Sequence, residues 1–441
     1  MDFRPSASQQ IVVATARQFL AARCPIELVR SMAWGAPTWP PIPPNARHAP
    51  AEPERSSLYA ALWRDMAELG WPGLLVPAEL GGSGGSLVDV VLLVEEMGRA
   101  CLPGPFVASA VAATTALVAG GDPSMQKRVL PAMADGDRIA TLAVVEERAS
   151  FDPDAIALAC EVPGTLRGEK LFVRDAHLAD DLIVAVRGGG DLTLLLVPAH
   201  RAGVTRVPLD AGGVERLFAV TFDGVDIRAD DVIGTAGRGR EPLGAALRAG
   251  ALARTAEMVG AAQHVLDLTV AHAKTRVQGG RPIGGHQAIQ HACADLVRDV
   301  DASRGLLYAA AWEAAESDSR SATATPGRDE LAVRAEPRPG GETSPSVIET
   351  GLGGHFGAPM YSIGLGGPAA GLPMSSIAAA KAYAGDACLR VARRAHQIFG
   401  AISYCEEHPL HLFHKRMLAA RSDFGDADLH LASVARAIGL V

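Results

Sequence analysis

GALARTAEMVGAAQHVLDLTVAHAKTRVQGGRPIGGHQAIQHAC, residues 250–293, is the stretch from which the rest of the chain can be read. Leu252, Ala256, Val259, Leu266 and Val270 recur at three- and four-residue spacing, with Gln263 in the same row, which predicts one face of a helix. The run ends at Arg276. Gly279 and Gly280 break it, Pro282 prevents quick resumption, and a second helix is expected from about Gln287. A helix, a glycine-rich turn edged by arginine and a further helix can cradle an anion, because Arg offers a fixed fork of donors and Gly admits close backbone approach. The same pattern also suits a plain helical hairpin with a solvated Arg.

Outward from this stretch the chain divides by pattern. Residues 8–24 and the segments from Ser57 and from Ser86 to Ala100 have helical period, and two more helices fit in 104–137 around GGDPS. Residues 34–54 are proline-rich and read as a loop. The glycines at 81, 82, 84 and 85 precede a helix but lack the lysine and spacing of a phosphate-binding loop. From about Arg138 to Gly234 the chain turns to short β-type runs (IATLAVVEE, IALAC, KLFVRDA, DDLIVAV, LTLLLVPA, GVTRVPL, FAVTFDGVDI), read together as one antiparallel β-domain. Helical patterns return to the C-terminus, interrupted at 317–373 by a Gly-, Pro- and Ser-rich stretch expected to be a disordered insertion. The expectation is an α+β chain: an α-helical domain over 1–137, a middle β-domain over 138–234, and a C-terminal four-helix bundle over 235–441.

The 441 residues are 48% hydrophobic and 20% charged, a globular composition with room for two or three domains. The net charge of −8, from 41 Lys+Arg against 49 Asp+Glu, shows no basic block and argues against nucleic acid as a partner. No long uncharged apolar run predicts a membrane span, and MDFRPSASQQ lacks the apolar core of a signal peptide. The six cysteines are scattered without C-x-x-C and read as reduced thiols, so a cytoplasmic protein is expected.

Four segments resemble one family. TRVQGGRPIGGHQAIQH (275–291) is similar to the R-x-Q-F-G-x-P-I-x-x-F-Q-x-x-Q-H signature of the acyl-CoA dehydrogenases. GWPGLLVPAELGGSGGSLVDVVLLVEEMGRA (70–100), KLFVRDAHLADDLIVAV (170–186) and AAAKAYAGDACLRVARRAHQIFGAISYCEEHPLHLFHKR (378–416) resemble three further segments of that family. Nearly the whole chain is covered, in the family's order of helices, β-domain and helices.

The resemblance implies FAD as cofactor, an acyl-CoA thioester as substrate, an electron-transferring flavoprotein as electron acceptor, and a dimer or tetramer, alone or with a second acyl-CoA dehydrogenase-like chain. It implies that Arg276 and Gln397 meet the FAD of a neighbouring subunit, that backbone meets the diphosphate at Gly400, and that Phe172 and Val173 lie on the strand that packs at the isoalloxazine. Departures from the family pattern are Gly279 for an aromatic, Ala401 for the second glycine of a pair, Arg174 for a Thr or Ser, and VVEERASFDPD, in which only Glu146 or Glu147 keeps an acidic residue. The family's catalytic glutamate stands at one of two places, which fall here near Gly250 and at Phe424 or Gly425. Asp423 is the carboxylate expected to serve as base, with Asp426 and Glu257 as alternatives. The implied activity is α,β-dehydrogenation of an acyl-CoA; a non-catalytic partner subunit and an oxidase-type reaction are the other readings. His408, His411 and His414 recur every three residues, but the family match accounts for them better than a metal does.

Overall fold

The computed structural model describes residues 5–33, 53–211, 215–323 and 373–440. Helices come first: α1 (Ala7–Arg23), α2 (Ile26–Ala33), α3 (Pro53–Glu68), α4 (Leu87–Arg99), α5 (Thr114–Gly120) and α6 (Pro123–Ala134). Their starts are written locally. Ser6 and Gln9 form a reciprocal capping box on α1, and Asp122 accepts from the N–H groups of Ser124 and Met125 at 2.8 and 3.0 Å, with Pro123 where no donor is needed. The proline-rich stretch predicted as a loop lies outside the described residues over 34–52, and α3 begins at Pro53.

Six strands follow: β1 (Ala140–Ala143), β2 (Gly164–Arg174), β3 (Asp181–Gly188), β4 (Asp191–Pro198), β5 (Val204–Leu209) and β6 (Leu217–Ile227). They form two three-stranded sheets, β1-β3-β4 and β2-β6-β5. One pairing departs from the expected antiparallel order: β1 runs parallel to β3, with Ala140 opposite Asp181. The connection between them carries β2 into the other sheet, and a crossover of that length permits parallel return. The expected strand IALAC is reduced to one bridge at Ala159, because the Glu146 carboxylate takes the N–H groups of Ala157 and Leu158 at 2.9 and 3.0 Å. The register of β2 against β6 shifts between Lys170 and Val173. There the Leu171 N–H bonds the Val145 carbonyl at 2.8 Å, and Phe172 adopts a left-handed backbone with φ +54°.

The C-terminal part contains α7 (Arg240–Thr275), a small hairpin of β7 (Val277–Gln278) and β8 (Arg281–Pro282), α8 (Gln287–Thr323), α9 (Pro373–Phe399), α10 (Leu410–Ser422) and α11 (Ala427–Ala437). Gly279 and Gly280, both at positive φ, make the two-residue hairpin turn. α7 to α10 pack as a bundle, with α11 laid on α9. α8 continues through residues 317–323, which were predicted to begin the insertion; no Pro or Gly interrupts the helix there. The rest of that insertion, 324–372, lies outside the described residues. α4 and α7 touch backbone to backbone: a Cβ on Gly98 would stand 2.1 Å from the Glu257 carbonyl oxygen, and one on Gly260 1.8 Å from that of Glu95. Ala- and Gly-rich faces thereby merge the N-terminal helices and the bundle into one apolar core. Among the described residues no helix is long and apolar enough to cross a membrane.

Candidate active site

Six charged side chains meet where the N-terminal helices, the β-domain and the bundle join. α7 contributes Arg254 and Glu257, three residues apart and therefore on one face. Arg174 comes from the end of β2, Glu215 from just before β6, Arg416 from α10, and Asp423 from the residue that ends α10. They alternate in sign around a closed ring. Asp423 contacts Arg174 at 2.5 Å; Arg174 pairs with Glu215; Glu215 contacts Arg416 at 3.0 Å. Arg416 pairs with Glu257, Glu257 with Arg254, and Arg254 Nε donates to Asp423 Oδ2 at 2.7 Å. Arg254 also reaches across to Glu215 at 3.3 Å, and Arg416 donates to the Leu102 carbonyl at 2.8 Å. Each member is between 2% and 8% exposed. Three cations balance three anions, as buried charge requires. Burial by itself pushes the Asp423 carboxyl up, but the guanidinium groups of Arg174 and Arg254 outweigh it and hold Asp423 below its ordinary range. Glu257 is held low in the same way by Arg254 and Arg416.

The turn that carries Asp423 is fixed from α9. Lys381, buried, donates through Nζ to the carbonyls of Ala420 at 2.7 Å, Arg421 at 2.8 Å and Gly425 at 3.3 Å. This leaves Phe424 at φ +56°, with its carbonyl 3.1 Å from His430 Nε2. The Phe424 ring lies on Gly250 of α7; a Cβ there would stand 2.4 Å from ring carbon Cε1. Phe151 stacks on Phe424, with centroids 5.7 Å apart and planes at 27°. The two rings, Arg174 and Asp423 border a small recess whose remaining wall is mostly apolar and includes Phe172.

The predicted positions separate into two groups. Phe172 is 44% exposed at the rim of the recess, whereas Val173 is 1% exposed and its side chain packs into the β-domain core. Asp423 borders the recess but is bound into the ring. Glu257 belongs to the same ring, and Asp426 caps α11 by accepting from the Leu429 N–H at 3.0 Å. Glu146 is taken up by the buried Lys170 at 2.6 Å. Arg276, Gln397 and Gly400 are exposed and lie elsewhere. Arg276 follows α7 22 positions beyond Arg254, roughly 33 Å along a helix. His272, one turn before Arg276, stacks on Phe399 at 4.4 Å, which brings the α7 end close to Gly400. A Cβ at Gly400 would meet nothing within 4 Å, so backbone is open to approach there. His408 packs on Phe399, His414 tilts against His396, and the ring of His411 lies 3.2 Å from the Glu406 carbonyl. Among the described residues no group of three His, Cys, Asp or Glu side chains is arranged to hold a metal ion.

Sequence reasoning did not single out Glu215, Arg254, Arg416, Lys381 or Phe151. Arg254 and Glu257 carried a signal: a charged pair inside the otherwise apolar run GALARTAEMVGAA.

The family model of the acyl-CoA dehydrogenase N-terminal domain matches residues 41–137, and that of the C-terminal domain matches 237–326 and 366–439. The chain is 30% identical over 286 residues to the probable acyl-CoA dehydrogenase YngJ of Bacillus subtilis, a match covering 62% of this chain and 74% of that protein. In fold it is similar to a chain of the ChsE4-ChsE5 complex from Mycobacterium tuberculosis, with TM-score 0.76, 21% identity and full coverage of both chains. It is also similar to glutaryl-coenzyme A dehydrogenase in complex with glutaryl-CoA, with TM-score 0.77, 22% identity, and coverage of 100% and 98%.

Proposed function

Because the chain belongs to the acyl-CoA dehydrogenase family of FAD-dependent oxidoreductases, we propose that it works as the non-catalytic subunit of a heteromeric acyl-CoA dehydrogenase. In this reading the assembly removes an α-proton and a β-hydride from an acyl-CoA thioester and passes electrons to an electron-transferring flavoprotein. FAD, when bound, accepts the hydride. The residues of this chain fit a flavin shared between subunits. Arg276, Gln397 and Gly400 are exposed at one end of the bundle and too distant to serve their own recess, so they would hold the diphosphate of a neighbour's FAD. Phe172 presents an exposed ring at the rim of the recess, where an isoalloxazine would pack.

One observation carries the non-catalytic assignment: among the described residues, the recess has no free carboxylate. A general base for an α-proton needs an unpaired carboxylate whose burial lifts its pKa toward the working pH. The family resemblance puts that group near Gly250 and at Phe424 or Gly425, none of them a carboxylate, and Asp423 between two guanidinium groups is held in the opposite direction. The structural likeness to a chain of the ChsE4-ChsE5 complex is compatible with a two-chain assembly. The test is anaerobic bleaching of flavin absorbance by acyl-CoAs. The chain expressed alone is expected to stay oxidised, and co-expression with an acyl-CoA dehydrogenase-like chain that carries the glutamate is expected to restore bleaching. Bleaching by the chain alone at the rate of the assembly would overturn the proposal.

A second reading rests on the place of Asp423 at the edge of the recess. If a ligand draws it away from Arg174 and Arg254, Asp423 becomes the base of a complete enzyme.

A further inference from the structure

The recess beside Phe424 has an apolar wall that includes Leu142, Val144, Val145 and Leu171, yet its volume is only ≈ 20 Å³. That is room for about one water molecule and not for an acyl chain. The aromatic pair forms part of its wall and narrows it. Phe424 is fixed on three sides: its ring on Gly250, its carbonyl beside His430, and its turn tied by Lys381. Phe151 is held differently. It sits in the connection after β1, is only partly buried, and stacks on Phe424, just before the short 3-10 turn Pro153–Ala155. Phe424 is thus held by its surroundings, whereas Phe151 is carried on a loop.

We infer that Phe151 and Phe424 form an aromatic plug that closes the acyl site of this chain, with Phe151 the element that must leave before the apolar tail of an acyl-CoA can enter. The inference rests on the reading above only in taking the recess as the acyl site. Lining by aliphatic side chains makes the ligand class an apolar acyl group; Arg174 and Asp423 neutralise each other and offer no net charge to a charged tail.

The test compares binding of octanoyl-CoA and of CoA itself to the full chain by isothermal titration. In the wild type the two are expected to bind within about threefold of each other, since no methylene is buried. In Phe151→Ala, octanoyl-CoA should bind at least about tenfold more tightly than CoA, because each buried methylene adds to affinity. Phe151→Leu, which keeps an apolar side chain in the loop, should gain less, and matched melting curves establish that both variants fold. A wild type that already prefers octanoyl-CoA by tenfold overturns the plug, as does a folded Phe151→Ala that gains nothing. The two proposals fail separately. A wild type that prefers octanoyl-CoA but stays oxidised removes the plug alone. A Phe151→Ala chain that gains affinity and bleaches without a partner upholds the plug and removes the non-catalytic assignment.

Discussion

Arg254 Nε donates to Asp423 Oδ2 at 2.7 Å across 169 positions of sequence, and this bond closes the ring of charges that joins the β-domain to the bundle. A ring of this kind holds together only while every member is present. Arg254→Met would leave Asp423 and Glu257 short of a cation in a dry site. The loss expected from breaking such a buried pair is about 3–5 kcal/mol. Urea unfolding should show a lower midpoint at neutral pH. A variant as stable as the wild type would mean that the ring contributes nothing to the fold.

Asp423→Asn separates a structural from a catalytic role. In the non-catalytic reading the bleaching rate of the assembled enzyme stays the same while the melting temperature falls. If Asp423 is a base, the rate drops by about two to four orders of magnitude. Asp426→Asn is the control. It perturbs only a helix cap, at a cost of about 1 kcal/mol or less, and should leave the rate unchanged.

Arg276→Ala and Gln397→Ala are expected to lower the flavin content of the assembly without changing the stability of this chain, because both side chains are exposed. Loss of a charge-assisted hydrogen bond from Arg276 predicts FAD affinity weaker by about tenfold to a hundredfold. The ratio of flavin absorbance to protein after dialysis reads this directly. An unchanged ratio in both variants would remove these residues from the FAD site.

His430 links the turn at Phe424 to acid stability. Burial, then the nearby Lys381 cation, pushes its imidazole down to about 4 from an ordinary value near 6.5. The unfolded chain therefore binds the proton more readily than the folded one. The contribution of His430 to stability is complete above about pH 6.5 and declines as the pH falls toward about 4. Melting temperatures over that window should fall less steeply in His430→Gln than in the wild type. Parallel curves would show that His430 does not titrate in this range.

Lys381 gives the same sign on the alkaline side. Burial lowers its ammonium to about 7, so the unfolded chain holds the proton more tightly above that pH. Stability from this group grows as pH rises from about 7 toward the ordinary lysine value near 10.5. Lys381→Met removes that slope, and it also releases the three carbonyls of the Ala420–Gly425 turn. A urea midpoint with the same pH slope in both proteins would sink this account.

Helices with a three- and four-residue row of apolar positions are legible in the sequence alone. α7 ends where Gly279 and Gly280 follow Arg276, and α8 begins at Gln287, because chain-breaking residues act on their immediate neighbours. The short β-runs were legible for the same local reason, while the parallel β1–β3 pairing was not, since pairing direction depends on where a long connection returns. IALAC looked like a strand until the carboxylate of Glu146, ten or more positions away, claimed its amides.

The sequence by itself determined the family, the order of helical and β parts, and the absence of a glutamate at Gly250 and Phe424, because motifs and substitutions are properties of the written chain. Only the tertiary structure decided what the remaining carboxylates are for. Asp423, Glu257 and Glu215 come from three separate segments, and their proton affinities are set by which guanidinium groups folding brings within a few ångströms. Electrostatic interaction depends on distance and burial, and neither is encoded in spacing along the chain.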